Sequence, residues 1–204
     1  MNTIYVLAFV FAVGCLFGWC LETVYRRFAE MPKKWINPGF LLGPYLPIYG
    51  FGLTLLYIIS SVGSKISLGN EFLKNLLIIF SIGLALTIIE YIAGIIFIKK
   101  MNKKLWDYSD RWANIDGIIC PQFSLYWTLL GAFYYYVLHK YLIGTVAFVF
   151  DYREIYFCLG LFFGIFIIDI AYSIQIVNRI KYFLYKQKNR KDNEYKIKDR
   201  DDLL

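Results

Sequence analysis

Asn75-Leu-Leu-Ile-Ile-Phe-Ser-Ile-Gly-Leu-Ala-Leu-Thr-Ile-Ile-Glu90-Tyr-Ile-Ala-Gly-Ile-Ile-Phe-Ile98, closed by Lys99 and Lys100, carries a single charge. A helix needs about 20 apolar residues to cross the hydrocarbon core of a bilayer, and this run supplies them. Four other stretches read the same way: Thr3–Leu21, about Pro47–Ser64, Gly117–Leu138, and Ile155–Ile168 continued past Asp169 to Asn178. Pro38, Pro44 and Pro47 put the start of the second helix near Pro44 or after it. The expected spans are therefore 3–25, 46–64, 74–98, 120–139 and 155–178. None of these runs alternates polar and apolar residues as the strands of a membrane barrel do. The fold class is all-α, a polytopic transmembrane helix bundle. Tyr141–Phe150 is apolar but only ten residues long, cut off by His139 and Lys140 before it and Asp151 after it. It is too short to span and is expected to be interfacial or re-entrant.

The whole composition agrees with this reading. Of 204 residues, 59% are apolar and 18% charged, against roughly 45–50% and about 25% in soluble domains. A mean hydropathy of +0.51 excludes an ordinary water-soluble enzyme, a disordered chain and a nucleic-acid-binding module, despite the net charge of +7. Thr3–Leu21 has no Lys or Arg before it, and Arg26-Arg27 after it, so it reads as a retained helix rather than a leader.

The basic residues give an orientation. The connections after the first and third helices and the C-terminal tail hold 18 Lys and Arg, and the other two connections hold 4. Positive-inside bias places the first set in the cytoplasm, the N-terminus outside and the C-terminus inside. Residues 1–180 form the transmembrane domain and 181–204 a basic cytoplasmic tail, expected to be solvated. This basic face suits anionic lipid in a multi-pass protein of the cell membrane. Cys15, Cys20, Cys120 and Cys158 show no metal-type spacing, and with one His in the chain neither a metal nor another cofactor is expected.

Charge inside an apolar layer costs about 2.5–3.5 kcal/mol per residue on insertion scales, so Glu22, Glu90 and Asp169 invite a functional reading. Each lies on a helix running from outside to inside, and each follows a large aliphatic residue. Glu22 precedes Arg26 by four positions, which also fits a plain ion pair along one helix face. The next basic side chains after Glu90 and Asp169 stand nine and ten positions on, at Lys99 and Arg179. Tyr25 and Tyr172 follow two of the acids by three positions, one turn along the same face.

The two connections at the cytoplasmic ends are rich in Gly, Pro, Trp and Asn. Trp35-x-Asn37-x-Gly39 then Pro44 parallels Trp112-x-Asn114-x-x-Gly117 then Pro121, each after a Glu-bearing helix. The pattern reads as two similar helical hairpins, parallel repeats about an axis along the membrane normal. Asn37, Asn114, Asp107 and Asp116 suit the capping of broken backbone, which survives at membrane depth only against protein or a wet cavity. The five Trp fall toward the cytoplasmic half, as an interfacial belt would. Gly14-x-x-x-Gly18 and Gly160-x-x-x-Gly164 permit close helix approach.

Gly18-Trp19-x-x-Glu22-x-x-Tyr25, Asn37-x-Gly39-Phe40-x-x-Gly43-Pro44-x-x-Pro47-Ile48-Tyr49-Gly50-Phe51-Gly52, Glu90-Tyr91-x-x-Gly94, Trp106-Asp107-Tyr108-Ser109, Asn114-x-x-Gly117-x-x-Cys120 and Phe123-Ser124-x-x-Trp127 occur in order over roughly residues 14–139. On these residues the sequence resembles the CmpB-type family of ABC-transporter permeases. The resemblance implies a transport role. The chain has no Gly-x-x-x-x-Gly-Lys-Ser/Thr, so an ATP drive would need a separate ATPase subunit docking on the cytoplasmic loops.

Three functions compete on sequence alone. The favoured one is a membrane transport component, a permease-like or substrate-binding subunit, which a homodimer would complete. Its ligand-binding set would be Glu22, Tyr25, Asn37, Glu90, Asp107, Tyr108, Asn114 and Asp169, around an acidic cavity open to the cytoplasmic side and taking a cation, a proton or an amine. The second is an intramembrane enzyme acting on lipid or isoprenoid phosphates, with Asp107-x-x-Asp110, Asp116 and Arg111 as oxygen ligands and cation. The third is a non-catalytic scaffold.

Overall fold

The computed structural model describes residues 2–29, 35–67, 69–100 and 105–175. Among them every regular element is helical, and one isolated antiparallel bridge joins Ile115 to Ile119. α1 is Thr3–Ala29, α2 Pro47–Gly63, and α3 Glu71–Ile95, prolonged by a π-helical turn at Ile96–Lys100. α4 (Pro121–Phe133) passes through a second π-helical stretch, Tyr134–Leu138, into α5 (His139–Val149) without a break. α6 covers Glu154–Ser173. With α4 and α5 joined, the described residues form the five helical rods that the apolar runs predict.

Tyr141–Phe150 is the exception to the expected layout. It is not a separate piece, because α5 continues through Val149 the rod begun at Pro121. Reading His139 and Lys140 as a boundary treated charge as a helix stop, whereas a charged side chain leaves the backbone hydrogen bonds intact. No Pro or Gly lies between Tyr134 and Ile143, and His139 is buried with its Nδ1 3.0 Å from the Tyr134 hydroxyl.

Among the described residues three segments are long and apolar enough to cross a membrane: Thr3–Phe28, Glu71–Ile98 and Glu154–Ser173. α2 is apolar but has 17 residues, about 26 Å at the α-helical rise. The expected end of the last helix beyond 175 and the tail from 181 lie outside the described residues.

Local sequence explains the helix starts. Pro47 and Pro121 sit at the first turns of α2 and α4, where a missing N–H costs nothing. The Asn70 side chain caps α3 by accepting the Leu73 N–H at 3.2 Å. The rods pack most extensively in consecutive pairs, α1 on α2 and α3 on α4, with α2 on α3 between them. Glycine makes this possible: a Cβ on Gly14 would stand 2.8 Å from the Tyr49 carbonyl oxygen and 2.9 Å from the Gly50 Cα. The Leu46 N–H also donates to the Cys15 carbonyl at 3.0 Å, fixing the entry of α2 beside α1. One buried cluster, Cys15, Leu41, Tyr45 and Phe166, joins α1 and α6 to the segment before α2. A second, Val6, Val10 and Val146, seats α5 on α1. Large side chains such as Phe17, Phe80 and Phe157 lie 60%, 66% and 74% exposed, as they would against lipid rather than water.

Candidate functional site

Glu22, Glu90 and Asp169 lie near the C-terminal ends of α1, α3 and α6, and each carboxylate is met by side chains or backbone from another part of the chain. Glu90 is the most enclosed, at 4% exposure. Its Oε1 accepts the Tyr108 hydroxyl and its Oε2 the Trp127 indole N–H, both at 3.0 Å. Both partners are neutral donors, and among the described residues Glu90 has no cationic partner. Burial, and then the neighbouring Glu90 charge, push the Tyr108 phenol well above its ordinary pKa, so it remains a donor at neutral pH. Its ring stacks on Phe123 at 4.2 Å between centroids, which fixes the hydroxyl in place.

Glu22 combines two readings. Its Oε1 pairs with the Arg26 Nε at 3.0 Å, the helical ion pair, while its Oε2 accepts the Tyr49 hydroxyl from α2 at 3.0 Å. Tyr49 lies within electrostatic reach of both Glu22 and Glu90, and its ring meets Trp127 edge-on at 6.3 Å. Acids from α1 and α3 thus flank one tyrosine.

Asp169 is engaged differently. Its Oδ1 accepts the Leu42 N–H at 3.1 Å and the Ser173 hydroxyl at 2.9 Å. Its Oδ2 accepts the Gly43 N–H at 2.8 Å and the Tyr45 hydroxyl at 2.6 Å. Consecutive backbone amides converging on an anion form a nest, and here α6 supplies the anion that holds the segment leading into α2. Burial and the Asp169 carboxylate together push the Tyr45 phenol up, keeping it a donor.

The two Asn are occupied with their own connections. Asn37 accepts the Gly39 N–H at 3.1 Å and the Trp19 indole N–H at 2.9 Å, and donates to the Leu41 and Leu42 carbonyls at 2.9 and 3.1 Å. Asn114 accepts the Gly117 N–H at 3.0 Å and donates to the Arg111 and Ser109 carbonyls at 2.9 and 3.3 Å. Asp107 accepts the Ser109 N–H at 2.9 Å, and Asp116 accepts the Tyr91 hydroxyl at 3.2 Å. Asn37, Asn114 and Asp107 thus fill the capping roles that their residue types suit, whereas Asp116 bonds a side chain of α3 and not backbone. Tyr25 is 56% exposed and, like Tyr172 at 71%, has no side-chain hydrogen bond among the described residues. Of the expected ligand-binding set, Glu90 and Tyr108 meet directly.

Tyr45, Tyr49 and Trp127 hold the acids, and residue types alone did not single them out. Trp127 counted as an interfacial ring, as did Trp19 and Trp106, whose indoles also donate inward, Trp106 to the Ile118 carbonyl at 2.9 Å. The available signal was depth: Trp127 stands almost two turns into its helix after Pro121.

Among the described residues no three acidic, His or Cys side chains group closely enough to hold a metal ion. Asp110 faces Arg111 at 3.7 Å, so Asp107, Asp110 and Asp116 do not converge. The 105–120 connection is nonetheless tightly built, with Ala113, Asp116 and Gly117 in left-handed conformation at φ 50°, 56° and 66°. A Cβ on Gly117 would stand 2.5 Å from the Ser109 Oγ and 3.2 Å from an Asp107 oxygen. Gly117→Ala should therefore lower stability by about 2–3 kcal/mol, combining the left-handed penalty with the clash. Thermal unfolding of the purified chain in detergent measures this.

The helices and the carboxylate sites define an all-helical membrane protein with acids enclosed beside structured connections. The family described as "Putative ABC-transporter type IV" matches residues 9–174, and the chain belongs to it. No curated protein and no solved structure matches the chain.

Proposed function

We propose that this chain is the membrane-embedded component of a transporter, a permease-like or substrate-binding subunit, multi-pass in the cell membrane with the C-terminus in the cytoplasm. In this reading Glu90, together with Glu22 and Asp169, takes a cation, a proton or an amine at the cytoplasmic end. A separate ATPase subunit docks on the connections there, the basic face meets anionic lipid, and a homodimer completes the pathway.

The observation that carries this reading is the Glu90 carboxylate, 4% exposed and held by two neutral donors. A charged hydrogen bond contributes about 1.5–3 kcal/mol, so two of them offset the cost of placing the acid in the apolar layer without neutralising it. An acid held but uncompensated is what a cation or proton site presents before loading. Tyr49, bonded to Glu22, packs against the Trp127 that holds Glu90, and Tyr108 and Trp127 hold the position of Glu90 while a ligand exchanges.

Proteoliposomes containing the chain together with any co-purifying ATPase test the proposal, with labelled methylammonium as the amine probe and a lumenal pH dye for protons. Glu90→Gln and Asp169→Asn are expected to lower flux at least tenfold with the bundle still folded, although Asp169→Asn loosens residues 39–45, and Asp107→Asn to leave it within twofold. Loss confined to Asp107→Asn favours the lipid-phosphate enzyme, and tolerance of all three substitutions leaves a scaffold.

A further inference from the structure

Away from the acids, a groove of about 370 Å3 opens between α2 and α3, within the roughly 300–1,000 Å3 typical of small-molecule sites. Its walls are aliphatic, with Ile58, Val62 and Ile66 on one side and Leu77 and Ile78 on the other. Gly63 makes room for this wall, because a Cβ there would press on the Ile78 side chain at 2.6 Å. The polar lining is confined to Ser81 and Lys74, seven residues apart on α3, or about 10 Å along the helix.

Lys74 stands in the first turn of α3, where a cation opposes the helix dipole. Its side chain is only 13% exposed, and its ion-pair partner Glu71, at 2.6 Å, is 73% exposed. Nothing in helix capping calls for a lysine here, since Asn70 already caps α3. A long apolar slot ending at an ammonium matches one ligand: a chain of hydrocarbon with an anionic head. We propose that this groove binds one acyl chain of an anionic phospholipid, with its phosphate at Lys74. The inference is independent of the transport reading.

The test uses the full chain purified in mild detergent, incubated with phosphatidylglycerol or phosphatidylcholine, with retained lipid counted by native mass spectrometry. The unaltered chain is expected to keep phosphatidylglycerol at least fivefold over phosphatidylcholine. Lys74→Gln should bring the two to the same level, and Glu71→Gln should increase phosphatidylglycerol retention by freeing the ammonium. Val62→Trp, which fills the slot, should lower retention of both at least threefold, while Leu84→Trp, on an exposed part of α3, changes neither. Should Val62→Trp fail to fold, Ile66→Trp reads the same way. Equal retention of the two lipids by the unaltered chain, or retention indifferent to Lys74→Gln or to the slot-filling variant, overturns the proposal and leaves only ordinary surrounding lipid.

Discussion

Asp169→Ala is expected to destabilise the protein by about 4 kcal/mol and to expose residues 39–45 to protease. The estimate follows from the four donors that converge on this carboxylate: the Leu42 and Gly43 amides and the Tyr45 and Ser173 hydroxyls. The hydroxyls can rotate to other acceptors, but the two amides are fixed by the backbone. Each buried amide left without an acceptor costs roughly 1–3 kcal/mol. The segment has a further tie through Asn37, so it should loosen rather than unfold the whole bundle. Asp169→Asn separates charge from hydrogen bonding, because its remaining carbonyl oxygen can satisfy only part of the nest. It should cost about half as much. Thermal unfolding in detergent gives the stabilities, and the rate of protease cleavage within 39–45 gives the local opening. If Asp169→Ala leaves both unchanged, the four-donor nest is not what holds the segment against α6.

The differing fates of the three acids show which features a sequence can reveal. Their presence was legible because an apolar run interrupted by one carboxylate stands out by composition. The helices were legible for the same reason, and five rods follow from five charge-poor runs. Beyond Arg26 and Tyr108, the partners of the acids were not, since Tyr45, Tyr49 and Trp127 reach them across 124, 27 and 37 residues. Such contacts depend on helix rotation and packing, and an apolar helix facing lipid and protein alike has no polar face to fix that rotation. Asn37 and Asn114 were readable as caps because capping is local, with the backbone partners of each within five residues. Placing Tyr25 beside Glu22 rested on helix periodicity alone, and the phenol is 56% exposed. The continuous α4–α5 rod was hidden by Lys140, a side chain that shapes hydropathy but not helix geometry.

Helix contacts raise the same issue at the two small-residue motifs, which look alike in sequence and differ in the structure. Gly18→Ala is expected to lower stability by about 3 kcal/mol, and Gly160→Ala to leave it unchanged or raise it by about 0.5 kcal/mol. At Gly18 the new methyl would collide with the Cβ and ring of Tyr49, and at Gly14 with the backbone of Tyr49 and Gly50. Neither obstacle is the free end of a side chain, so α1 and α2 must separate to admit a methyl. That separation would also lengthen the Tyr49 to Glu22 hydrogen bond, now 3.0 Å, and withdraw Tyr49 from Trp127. A Cβ at Gly160 or Gly164 meets nothing within 4 Å, leaving only the gain in helix propensity over glycine. Unfolding temperatures of the two variants in the same detergent decide the matter, with tryptophan fluorescence reporting the environment of Trp127. Equal responses at Gly18 and Gly160 would show that the α1–α2 contact does not depend on the missing side chain.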